Sequence, residues 1–162
     1  MAWTTPKTWT AALVTVDEMN THVRDNLNWL KDPVTSIVSL AGQLTTTSTN
    51  FTDATGLTLT VTTLGGTVMV GFFGVIISSG GSWTNVDLDV DGTRQGGTDG
   101  LVTQVTSGNV ETVAFVTLVE GLAAGSHTFK IQWKVNAGTS TLFAENSSAL
   151  SKFKPTLWVR ES

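Results

Sequence analysis

At 162 residues, with 14% charged side chains and a net charge of −4, the chain has room for one ordinary core and no basic field to gather phosphates, so nucleic acid is a poor partner. It has no cysteine, which excludes a disulfide framework and thiolate metal sites, and no run of about 18 apolar residues that would insert in a membrane. So low a charge on a chain of slightly positive mean hydropathy, +0.13, points to surface hidden in an assembly.

The first residues, Met1-Ala2-Trp3 followed by Thr and Lys, lack the apolar core of a signal peptide. Thr15-Val16-Asp17-Glu18 has the spacing of a capping box, which predicts a helix beginning at Val16 with two acidic side chains at its positive end. The apolar positions of that helix are Val16, Met19, Val23, Leu27 and Leu30, at intervals of three and four residues. Their mean spacing is that of a heptad seam rather than of the wider stripe on a surface helix. At Pro33 the helix either stops near Lys31 or restarts with Asp32 as its cap, carrying the pattern on to Val34 and Ile37. A helix of this length is marginal alone and needs cover, from its own β domain or from copies of itself.

From Leu44 the period changes to two. Leu57 to Val61, Val86 to Val90 and Phe129 to Val135 alternate apolar with polar, whereas Val68 to Ile77 and Val113 to Val119 are apolar throughout and should be covered on both faces. Turn residues such as Gly65-Gly66, Asp91-Gly92 and Ser107-Gly108-Asn109 divide the region into eight or nine expected strands, near 45–52, 56–63, 67–78, 84–91, 101–106, 110–120, 126–136, 139–145 and 155–161. The fold expected is mainly β: an antiparallel jelly roll or β-sandwich over residues 44–162, preceded by an anchor and association segment over 1–43 with one amphipathic helix.

Candidate chemistry is sparse. Asp87-Leu-Asp89-Val-Asp91-Gly92 opens like a calcium loop, but its twelfth position is Thr98 and Arg94 stands where an apolar anchor belongs; a half-exposed strand entering an Asp-Gly turn explains the same residues. His22 reads as a partly buried polar position on the helix, and His127 as a strand-end residue. Nucleophile elbow, zinc and phosphate-loop motifs are missing, and the spacing of the carboxylates singles out no pair, so neither enzymatic activity nor a cofactor is expected. Trp83, beside Ser-Gly-Gly-Ser, either anchors a loop or offers a flat ring to a sugar or partner, while Trp133 and Trp158 read as core. Trp3, Trp9 and Trp29 cluster where little β structure could bury them and suit docking onto another protein.

The segment Trp9 to Leu30 resembles one common in tailed-bacteriophage structural proteins: a Trp, a threonine-led cap, then a helix reading N-x-x-V-R-D-N-L-x-x-L, matched here by Asn20, Val23, Arg24, Asp25, Asn26, Leu27 and Leu30. The glycine usual between the Trp and the cap is missing. Val90-Asp91-Gly92-Thr93 and Leu122 to Trp133 look like the jelly-roll heads of phage fibre proteins, which resemble the trimeric C1q and tumour-necrosis-factor fold. The resemblance implies a virion component: a homotrimeric spike, fibre or decoration protein anchored to other capsid or tail proteins by its N-terminal segment, or alternatively a tip that binds a host receptor or surface glycan. In that arrangement Val16, Met19, Val23, Leu27 and Leu30 line the trimer seam, Arg24 and Asp25 pair between chains beside it, and the heads share strands 67–78 and 113–119 around the threefold.

Overall fold

Period-two alternation becomes paired strand throughout the body of the chain. The computed structural model describes residues 4–5, 7–8, 13–31, 35–105, 108–144 and 153–161. Within these, a short helical segment precedes eleven strands: β1 Thr35–Ser39, β2 Leu44–Thr46, β3 Thr52–Thr63, β4 Gly66–Ser78, β5 Trp83–Val90, β6 Thr93–Arg94, β7 Val102–Val105, β8 Glu111–Leu122, β9 Gly125–Val135, β10 Ser140–Phe143 and β11 Thr156–Glu161.

One sheet is centred on β4. Its residues 68–73 pair with β11 on one edge and β8 on the other, β10 continues the β11 edge, and β1 and β2 lie outside β11 and β10. The second sheet runs β3-β9-β5, with β6 and β7 both on the far edge of β5. The orders β1-β11-β4-β8 and β3-β9-β5-β7, joined by connections that mostly pass from sheet to sheet, make an antiparallel sandwich of jelly-roll topology.

The core is the set of inward side chains. Val68, Val70, Phe72 and Ile76 of β4, with Leu157 and Val159 of β11, meet Leu57 and Val61 of β3, Leu88 of β5 and Phe129, Ile131 and Trp133 of β9. At one place the two sheets are joined by hydroxyls: Thr84 lies 2.7 Å from Ser78 Oγ and 2.6 Å from Ser140 Oγ, all three fully buried, so each polar atom taken from water finds a partner. In β3 the register jumps between Asp53 and Thr58, and Gly56 there takes φ +92°. That bulge lets Ala54 and Leu57, three residues apart, both point inward.

Three details differ from the sequence reading. The region near 45–52 holds only the short β2 and the approach to β3. A strand appears at Thr35–Ser39, within the segment read as anchor, so the helix stops at Lys31 and Ile37 belongs to a sheet. Trp158 faces outward and is only partly buried, because β11 places Leu157 and Val159 inside; its ring lies across Gly71 on the neighbouring strand.

Candidate functional site

The helical segment is built as the capping box requires. The Thr15 hydroxyl accepts from the Glu18 amide at 3.2 Å, and Glu18 accepts from the Thr15 amide at 2.9 Å. Lys7 also pairs with Glu18. The hydrogen bond from Lys7 first, then those from Thr15, lower the Glu18 carboxyl to about 2. Helix α1, Val16–Met19, passes through a π turn at Asn20–Arg24 into α2, Asp25–Lys31. The extra residue in that turn rotates the second half by roughly 100° relative to an unbroken α-helix, so the seam is broader than a strict heptad.

Asn26 holds this segment to the chain before it. Its Oδ1 accepts from the Thr4 amide at 2.9 Å and the Thr4 hydroxyl at 3.0 Å, while its Nδ2 donates to the Thr4 carbonyl at 2.8 Å and to the His22 carbonyl at 3.3 Å. One buried side-chain amide thus pairs both backbone groups of Thr4, as a neighbouring strand would. The Thr4 hydroxyl also donates to the Thr21 carbonyl within the π turn. Arg24 and Asp25 pair with each other at 2.8 Å within the chain.

The apolar positions predicted for the seam are open. Val16 is 75% exposed, Leu27 and Leu30 are each 59% exposed and Met19 47%, while Val23 is half-buried. Among the described residues the sandwich core draws none from this segment. Trp3 and Trp9 lie outside the described residues, as does the side chain of Trp29.

The three carboxylates of the calcium-like motif are engaged separately. Asp87 is fully buried; Oδ1 accepts from the amides of Leu88 and Gly96, and Oδ2 pairs with Arg94 at 3.0 Å. Asp89 Oδ1 accepts from the Gly92 amide at 3.0 Å. Asp91 takes φ +52° in the turn between β5 and β6 and accepts from the Thr128 amide at 2.7 Å. Among the described residues no group of three carboxylates or histidines could hold a metal ion.

Asp91 also pairs with His127 Nδ1 at 2.6 Å, while His127 Nε2 lies 2.9 Å from the Ala123 carbonyl. Both neighbours are acceptors, so only the doubly protonated ring satisfies both. These bonds, to Asp91 first and to Ala123 second, raise the His127 pKa above its ordinary 6.5. The Thr128 amide, followed by His127, lowers Asp91.

Trp83 opens β5 and is 41% exposed, with its amide donating to Asn136 Oδ1 at 2.7 Å. It stands at a strand end with its ring accessible, rather than inside a loop. The sequence reading gave Asn26 no role beyond the motif; its signal was a polar residue inside a helix, whose partner at Thr4 local periodicity does not reveal.

No protein-family model matches the chain, and no curated protein matches it in sequence. Among solved structures it is similar to infectious bursal disease virus, Gt strain, with TM-score 0.47 and 13% identity over 80% of this chain and 38% of that one. It is similar to the VP2 subviral particle of that virus with TM-score 0.42 and 12% identity over 81% of this chain and 38% of that one. It is also similar to the exo-β-1,3-galactanase of Phanerochaete chrysosporium with TM-score 0.33 and 18% identity, over 80% of this chain and 27% of that one. The chain spans well under half the length of each, and likenesses this distant carry no argument about activity.

Proposed function

We propose that the chain is a non-enzymatic structural protein of a tailed-bacteriophage virion, a short spike, fibre or decoration protein that associates as a homotrimer through its N-terminal helix. Trp3, Trp9 and Trp29 then dock it to other proteins of the particle. The observation that carries this reading is the open apolar row Val16, Met19, Leu27 and Leu30, on a helix whose described side chains supply nothing to the sandwich core. Burial of such side chains is worth roughly 1.5–3 kcal/mol each before the entropy of association is subtracted, which offsets the weakness of a short isolated helix. The motif from Asn20 to Leu30 supports the phage assignment, and Asn26 now has a physical role in it, holding the preceding chain against the helix.

Light scattering on the purified full chain tests the association, with a trimer expected and a monomer at micromolar concentration overturning it. Deleting residues 1–31 should abolish incorporation into particles while leaving the sandwich folded; the deletion stops there because Thr35–Ser39 is part of a sheet. Retained incorporation would move the anchor elsewhere.

The exposed ring of Trp83 favours a second reading, a tip that binds a host surface glycan. Its test is a glycan array on the wild type and on Trp83→Ala. Signal present in the first and lost in the second supports it; no signal in either removes it.

A further inference from the structure

The two ends of the sandwich differ. The helical segment ends at Lys31 and the chain enters the sheets at Thr35, in register with Arg160 and, through it, with Met69 near the start of β4. The steps from Lys31 to Thr35 span at most about 14 Å, so the helix is attached at this end. Along β4 from Met69 to Ser78 the chain rises about 3.3 Å per residue, and Ser78 bonds Thr84, the residue after Trp83. Trp83 therefore stands about 30 Å from the point of entry, at the end opposite the attachment of the anchoring segment.

Thr84 and Val86 point into the sandwich, so Trp83 and Asn85 point out of it, about 7 Å apart on one face of β5. Beside Trp83 lies the exposed Asn136, whose Oδ1 accepts from the Trp83 amide and whose Nδ2 has no acceptor among the described residues. Asn85 lies between Thr103 of β7 and Lys134 of β9. Its Nδ2 donates to the Thr103 hydroxyl at 2.7 Å and the Asp99 carbonyl at 2.9 Å. Thr103 is on the β7 side, so Asn85 Oδ1 turns toward β9, and this buried oxygen has no donor among the described residues. Lys134 is held by the Thr98 carbonyl at 2.7 Å, whereas the Asp99 side chain, 3.9 Å from Lys134, is 75% exposed. An amide taken from water with its oxygen unpaired adds nothing to stability; a ligand hydroxyl, directly or through a water, completes it.

We propose that this end of the sandwich is a site for neutral saccharides: a sugar stacks its C–H face on Trp83, accepts a hydrogen bond from Asn136 Nδ2 and donates hydroxyls to the Asp99 carboxylate. It deepens the glycan reading of Trp83 above and rests on it. A flat ring flanked by an open amide donor and an open carboxylate matches a ligand that is apolar on one face and both donates and accepts at its rim. The Asp99 charge repels a sugar acid, and Lys134 is already engaged.

The full chain is tested on an array printed with neutral glycans and their sialic- or uronic-acid-terminated counterparts. Wild type is expected to bind the neutral set about tenfold or more above the acidic one. Asn136→Asp keeps an oxygen for the Trp83 amide and removes the Nδ2 donor, and it should lower neutral binding by about tenfold. Asp99→Asn keeps an acceptor and removes the charge, and it should bring acidic glycans within about threefold of neutral ones. Binding that is lost in Trp83→Ala but is equal for both sets and unmoved in Asn136→Asp and Asp99→Asn overturns this site while leaving Trp83 as a glycan contact. A wild type that prefers acidic glycans overturns it as well. No binding by the wild type overturns both readings.

Discussion

Gly71 shows how one residue sets a surface. A Cβ there would fall within the ring of Trp158, which lies across the strand, so only glycine lets the indole flatten against β4. Gly71→Ala is expected to cost about 1–3 kcal/mol through overpacking, read as a lower Tm with a red-shifted tryptophan emission. The loss should shrink when Trp158→Leu is added, since the side chain in the way is then smaller. Asp87 is decided by burial: both oxygens are taken by amides and by Arg94. Arg94→Met should cost about 3 kcal/mol by leaving a buried carboxylate without its cation, and a chelator should leave the wild-type Tm unmoved. The sequence placed three aspartates at alternate positions, but which atoms they meet depends on the Gly96 and Thr128 amides, brought in by pairings that no local pattern encodes.

His127 makes a prediction with a sign. Its pKa is raised in the fold, so its contribution is complete below 6.5 and is lost as pH rises through the raised value. Asp91 is lowered, so its share is present above 3.8 and is lost as pH falls through the lowered value. The window therefore runs from the acid side of 3.8 to the alkaline side of 6.5. The Tm gap between wild type and His127→Asn should be larger near about pH 5.5 than near about pH 8.5, and a gap independent of pH would contradict the doubly protonated clamp.

At the scale of elements, legibility followed how local each cause is. The helix start was readable because a capping box is four consecutive residues, and the long strands β4, β5, β8 and β9 because alternation or unbroken apolar runs mark them. The π turn, the strand at Thr35–Ser39 and the outward turn of Trp158 were not readable. Each meets a partner outside its local pattern: Thr4 for the first, β11 for the second, Gly71 for the third. Asn26 is where this non-local order can be tested. Asn26→Ala leaves both backbone groups of Thr4 without that partner, and hydrogen exchange at Thr4 should accelerate while the amides of β4 and β9 keep their protection. Thr15→Ala should take about 1 kcal/mol from the same helix, read as a loss of helical circular dichroism. Unchanged exchange at Thr4 in Asn26→Ala would mean that the amide bridge does not hold the chain at Thr4 to the helix.

For the whole molecule, apolar surface remains where the sequence had no wet face to offer. The run from Val113 to Val119 reads as covered on both sides, yet in the single chain Val116 and Leu118 stand open, as do Leu27 and Leu30 on the helix. Among the described residues the sandwich core begins at Val38 and Leu40 and takes no side chain from the helix. The helix does need something, because at sixteen residues with a π turn it is marginal in water. Its order should therefore come from association, and the two parts should respond differently to one change. Leu27→Glu with Leu30→Glu puts charge on the open seam while keeping helix propensity close to that of leucine. Amides of residues 16–31 should lose protection in that variant, those of the sandwich should keep their ranking, and light scattering should report smaller particles. If the helix amides stay protected in the charged variant, the segment is held by contacts within one chain and its exposed leucines play no part in assembly.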